Sequence, residues 1–121
     1  MADFKQKQLN YQDKQTAGVT KVDRINMSNS SRSLKEAKDT TLHIKEAAIV
    51  NGVDDDGDPL VRAFIIDENG NSYGTVSATA IRAIDDAIDL IDDGLKLDVL
   101  VTMPKSKNDR DFVSLTFTER N

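Results

Sequence analysis

From Thr41 onward the hydrophobic positions fall into short phases separated by turn-forming residues. In "TLHIKEAAIV" (41–50), Leu42 and Ile44 share one side and His43 and Lys45 the other, the period of a half-buried strand. "NGVDDDGDP" breaks the pattern, and "LVRAFIID" (60–67) resumes it as a second strand. "ENGN" holds Asn69-Gly70, the pair best suited to positive φ in a tight hairpin turn, and "SYGTVS" (72–77) is the third strand, paired with the second. The period then lengthens. Ile81, Ile84, Ile88 and Ile91 make one helical stripe, which predicts a helix capped by Ser77, running to about Asp93 and stopped by Gly94. Asp85, Asp86, Asp89, Asp92 and Asp93 fall mostly on the far side, facing water. "LKLDVLVTM" (95–103) is a fourth strand with Leu95, Leu97, Val99 and Val101 inward. "PKSKNDR" is a basic loop, and "DFVSLTFTE" (111–119) is a fifth strand.

The first forty residues are different: rich in Gln, Asn, Ser, Thr and Lys, and poor in bulky apolar groups. Residues 1–18 show no period and predict a mobile tail. Residues 19–40 read as an extension, with a short edge strand in "VTKVDRINMS" where Val22 and Ile25 pack, followed by a loop. Ser33 and Glu36 fit a capping box for a single helical turn. Residues 41–119 form the folded domain.

The predicted fold is therefore mainly β with one helix, in the order β-β-β-α-β-β, behind a polar N-terminal extension. That order is shared by the OB-fold, a five-stranded Greek-key barrel with a helix between its third and fourth strands, and by some other small α+β folds. In an OB-fold the isoleucine stripe plugs the end of the barrel.

Composition narrows the function classes. The 121 residues suit one domain. No cysteine is present, which excludes disulfides, thiolate metal sites and cysteine nucleophiles. No segment reads as a membrane span or signal peptide, so the expectation is a soluble chain of the cytoplasm. The only histidine is His43, and neither a nucleophile elbow nor a phosphate-binding glycine loop occurs, so no enzyme is expected and no cofactor. "DDDGDP" (54–59) departs from a calcium loop in its glycine spacing and lacks the closing Glu; it reads as an acidic hairpin turn. The net charge of −5 is unevenly spread: residues 1–45 hold nine Lys/Arg against five Asp/Glu, and residues 46–121 seven against sixteen. A local polyanion site is compatible with that division.

Period two assigns the strand faces. With Leu42, Ile44, Val61, Ala63, Ile65, Gly74 and Val76 inward, the outward set holds Lys45, Arg62, Phe64, Tyr73 and Phe112. Outward aromatics beside cations are what single-strand binding uses: rings stack on bases, and Lys or Arg neutralise phosphates. Phe64, Tyr73 and Phe112 are the candidate stacking residues. Lys45, Arg62, Lys105, Lys107 and Arg110 are the candidate phosphate contacts, the last three in the loop where OB-folds clamp nucleic acid. Arg24, Arg32, Lys35 and Lys38 extend the basic character into the N-terminal segment. Both faces of "LVRAFII" are apolar, so the opposite register, with Phe64 in the core, remains open.

The chain also resembles the small single-stranded DNA-binding proteins of bacteriophages and mobile elements of Gram-positive bacteria. The resemblance spans about residues 29–117 and rests on "DENGNSYGTVSATAI" and on the "KSKN-R-F-SL" approach to the last strand. It implies an OB-like fold, sequence-tolerant binding of single-stranded DNA, and a role in replication or recombination of phage DNA in the host cytoplasm. Homo-oligomers and phage or host replication proteins are the partners it points to. The alternative from a different class is an acidic interaction protein, either a DNA mimic that inhibits a host enzyme or a virion component, motivated by the −9 carried by residues 46–121.

Overall fold

The computed structural model describes residues 13–103 and 113–120. In these, β1 (Lys14–Gln15), α1 (Lys21–Ser30), β2 (Arg32–Ser33) and a single 3₁₀ turn (Leu34–Ala37) precede the longer elements. Those are β3 (Thr41–Val53), β4 (Pro59–Asp67), β5 (Ser72–Thr75), α2 (Ala78–Asp92), β6 (Leu97–Thr102) and β7 (Ser114–Glu119). The architecture is mainly β, with two helices and one curled mixed sheet in the order β2-β5-β4-β3-β6-β7; β1 lies against β3. All pairings are antiparallel except β2 with β5.

The curl originates in β3, which serves both halves of the sheet. Thr41–His43 pair with β6, and Glu46–Val53 pair with β4. A bulge between Ile44 and Glu46 bends the strand at Lys45.

The main core lies between one face of the sheet and α2. Ile81, Ile84 and Ile88 are fully buried against Leu42, Ile44, Val61, Ala63, Ile65, Leu97, Val99 and Val101. Each buried isoleucine contributes about 1.5–3 kcal/mol relative to exposure. Ser77 caps α2, accepting from the Ala80 amide at 3.4 Å, and Gly94 at φ +95° follows its last turn. Val113 is buried in the same core, with Leu115 and Phe117 packed at its margin.

The N-terminal segment departs from expectation. Residues 1–12 of the expected tail lie outside the described residues; beyond them Lys14 and Gln15 pair with β3 and Thr16 is buried, and residues 21–30 form a helix rather than an edge strand. Thr20 and Asp23 close a reciprocal capping box at the start of α1. Val22 and Ile25, expected to pack, are 64% and 59% exposed; Met27 is the residue α1 buries. The segment is tied down by the acidic side of α2. Lys14 reaches Asp85 at 2.8 Å and Asp89 at 3.0 Å, and the Ala17 amide donates to Asp92 at 3.0 Å. Asp86, Asp89, Asp92 and Asp93 stay exposed as expected, and Asp85 is half-buried under Lys14. The single turn behind Ser33 and Glu36 forms with both halves of its capping box, burying Leu34 and Ala37.

Among the described residues no helix is long and apolar enough to cross a membrane.

Candidate functional site

The second face of the sheet carries its own apolar cluster: Val19, Met27, Ala48, Phe64 and Ile66, with Val50 at its edge. Phe64 therefore points away from the main core, as alternation from Val61, Ala63 and Ile65 requires. It is nevertheless only 2% exposed, because α1 lies over it. The ring extends across the neighbouring strand at Gly74, where a side chain would collide with it: a Cβ there would stand 2.9 Å from Phe64 Cε1.

Tyr73 is on the opposite side from the one expected. It stands directly across from Ile65 and belongs to the main core, 9% exposed. The hairpin turn is the cause. A tight Asn69-Gly70 turn would pair Tyr73 with Ile66, on the face of Phe64. Instead the Asp67 amide bonds the Asn71 carbonyl at 2.9 Å, and Gly70 donates to the Asp67 carbonyl at 3.1 Å, leaving a three-residue loop. Gly70 alone in that loop takes positive φ, at +88°. The Asp67 carboxylate fixes this turn by accepting from the amides of Asn69 (3.0 Å) and Asn71 (2.9 Å). The one-residue difference flips β5: Tyr73 turns inward, Gly74 turns toward Phe64, and Val76 is 53% exposed rather than buried. Neither Phe64 nor Tyr73 is available to stack on a base.

A cleft of about 630 Å³ opens beside the Phe64 cluster, bounded by the end of α1, β2, β4, and the end of β5. Arg32, Lys35 and Arg62 line it, and no Asp or Glu among the described residues does. Each cation comes from a different element. Arg62 projects from β4 on the same face as Phe64; Arg32 is held in β2 by its parallel pairing with Tyr73; Lys35 sits in the 3₁₀ turn. The Arg62 guanidinium lies over the Phe64 ring, 5.4 Å from its centroid. Serine and threonine hydroxyls and the exposed Val76 complete the wall. Ser31 fastens the rim, donating to the Met27 carbonyl at 2.7 Å and meeting the Ser72 hydroxyl.

Of the other expected site residues, Lys45 is exposed at the β3 bulge and does not line the cleft. Lys105, Lys107, Arg110 and Phe112 lie outside the described residues. Val113, the first described residue after them, lines the cleft. Arg32 and Lys35, read from sequence only as part of a diffuse basic segment, are brought to Arg62 by the β2–β5 pairing, a contact with no local sequence signal.

Two further polar clusters stand elsewhere. Asp54, Asp56 and Asp58 bring carboxylates within 4.8 Å of one another in the β3–β4 loop; all but Asp54 are well exposed, and Asp54 accepts from the amides of Asp56 and Asp58 as a turn residue does. Near the C-terminus, Arg120 donates to Glu68 at 2.8 Å and pairs with Asp98 at 3.3 Å, while His43 Nδ1 meets Asp98 at 2.8 Å. The guanidinium lowers the Glu68 pKa, and Glu68 in turn raises that of Arg120.

No family model, curated protein or solved structure matches this chain.

Proposed function

We propose that this protein binds single-stranded DNA, without sequence preference, along the cleft lined by Arg32, Lys35 and Arg62. The observation that carries the reading is the charge of that cleft. In a chain of net charge −5, three cations from three elements converge on one concavity that no described carboxylate lines. Such segregation lets an acidic protein attract a polyanion locally.

The position of the cleft supports the same reading. We take β3, β4, β5, α2, β6 and β7 as an OB-type barrel left open at one seam. The cleft then lies on the face of its second and third strands, beside the return of the connection between its fourth and fifth, where OB-folds take oligonucleotides. Lys105, Lys107, Arg110 and Phe112 belong to that connection and would add phosphate contacts and a stacking ring. The resemblance of residues 29–117 to phage single-stranded DNA-binding proteins points to replication or recombination of phage DNA in the host cytoplasm. One cleft holds few nucleotides, so binding by a homo-oligomer, with phage or host replication proteins as partners, is part of the proposal.

The competing reading, an acidic protein that mimics DNA, draws on the aspartates of α2. Asp85, Asp89 and Asp92 instead hold the N-terminal segment.

Fluorescence anisotropy with a labelled oligo-dT separates the two. Tight binding at low salt that weakens steeply as salt rises is expected. Absence of binding at low salt would sink the proposal, and a wild-type chain that ignores nucleic acid but pulls down a basic protein from host lysate would favour the mimic.

A further inference from the structure

We infer that Arg62 is a base-stacking element of the cleft, a guanidinium plane carried on the buried Phe64 ring. The inference rests on the proposed single-stranded DNA binding and assigns the part of the ligand that Arg62 reads.

Sequence-tolerant binding of single strands draws affinity from stacking as well as from phosphates. Phe64 and Tyr73 cannot supply a ring, since both are buried. Arg62 can supply a plane. Guanidinium groups stack on bases as aromatic rings do, because they are flat, delocalised and more weakly hydrated than an ammonium. A free arginine side chain is too mobile to be an efficient platform; one seated on a fixed ring has already lost that freedom. Three observations show that the seat is fixed. The guanidinium lies 5.4 Å from the Phe64 centroid. Phe64 is closed in by Val19, Met27, Ala48 and Ile66. Gly74 leaves room for the ring across β5, where any Cβ would press on Cε1 and Cδ1 at 2.9 and 3.1 Å.

Arg62 and Phe64 both line the cleft, but the ring is only 2% exposed whereas Arg62 is half-buried, so the guanidinium is the face of the pair open to a ligand. Phe64 thus acts as a positioning residue without touching DNA. Arg32 and Lys35 are exposed in the same cleft and take the phosphates.

The test compares two probes of about 20 nucleotides, longer than one site: oligo-dT, and an abasic oligonucleotide with the same phosphates and no bases. Wild-type protein is expected to favour oligo-dT. Arg62→Lys keeps the charge and loses the plane, and is expected to weaken oligo-dT binding about 5- to 100-fold. Its affinity for the abasic probe should stay within about twofold of wild type, since the phosphate contacts are retained. Phe64→Leu, checked for folding by circular dichroism, should also reduce the preference for bases while leaving the salt dependence of binding unchanged. Equal weakening of both probes by Arg62→Lys would make Arg62 a phosphate contact and overturn the inference while sparing the function. Unchanged binding of both would remove Arg62 from the interface and would likewise overturn the inference alone. Wild-type protein that binds neither probe would remove the proposed function itself.

Discussion

The ring of Phe64 lies across Gly74, so close that a β-carbon at position 74 would stand 2.9 Å from Cε1. The ring has no room to retreat, because α1 closes the cluster from above through Met27. Gly74→Ala should therefore destabilise the fold by about 1–3 kcal/mol, the usual cost of overpacking. Urea unfolding measures it. Phe64→Leu in the same chain should recover part of the loss, with a coupling of at least about 0.5 kcal/mol in a double-mutant cycle. Strict additivity would mean that the two positions do not press on each other.

Asp67 is buried and holds the β4–β5 turn through two backbone amides. Asp67→Ala should cost about 1.5–3 kcal/mol, the range for a hydrogen-bonded charged group. Asp67→Asn, which keeps an acceptor oxygen, should cost less. Urea midpoints of the three proteins rank the effects, and equal stabilities would show that Gly70 alone sets the turn.

That turn also explains what can be read from the chain and what cannot. The stripe of Ile81, Ile84 and Ile88 and the alternation of Leu97, Val99 and Val101 are strong periodic signals, and each lies where its period places it. The phase of β5 is not periodic information. It depends on whether the turn holds two residues or three, and "DENGN" satisfies both until the Asp67 carboxylate selects the longer loop. Tyr73 lies opposite to its expected face for that reason alone. Phe64 lies on the face that alternation gives it and is still buried, because its cover is a helix that its own composition barely announces. Lys21–Ser30 has two prominent aliphatics, Val22 and Ile25, and both face water. Tertiary contact through Met27 and the Thr20–Asp23 cap stabilise α1. Arg62 is legible from alternation, whereas its meeting with Arg32 depends on a parallel pairing of two-residue β2 with β5.

Lys14 provides a pH test of the anchored N-terminal segment. Its hydrogen bond to Asp85, reinforced by Asp89, raises its pKa above the ordinary 10.5 against the opposing cost of burial. A folded pKa above the unfolded value stabilises the fold fully below the unfolded pKa, and the benefit disappears as pH rises through the folded one. Lys14→Met should therefore be less stable than wild type at pH 8 by at most about 1 kcal/mol, as expected of partly exposed ion pairs. The difference in urea midpoint should shrink above the ordinary lysine pKa and also in high salt. A constant difference would assign the effect to packing.

The Glu68–Arg120 pair gives the opposite sign. The guanidinium holds the Glu68 carboxyl below the usual 4.5. A depressed folded pKa stabilises the fold above the unfolded value, and the contribution is lost as pH falls through the folded one. Carboxyl-detected NMR titration should place Glu68 below ordinary glutamates in wild type and return it to their range in Arg120→Met. A Glu68 that titrates identically in both proteins would show that the pair does not persist in solution.

The charge of the cleft makes the most direct prediction about binding. Each phosphate neutralised by a cation releases a condensed counterion, and the slope of log K against log salt counts those contacts. Arg32→Ala and Lys35→Ala should each weaken oligo-dT binding and reduce that slope by roughly 0.7, the value per contact on a single strand. Lys21→Ala and Lys96→Ala, whose residues do not line the cleft, should leave the slope unchanged. Because Arg32 and Lys35 reach the cleft from different elements, their effects on the slope should add. The measurement is a salt series of anisotropy titrations for each variant at fixed pH. If the Lys21 and Lys96 variants lower the slope as much as the Arg32 and Lys35 variants, DNA is held by diffuse attraction to the surface and the cleft is not its binding site.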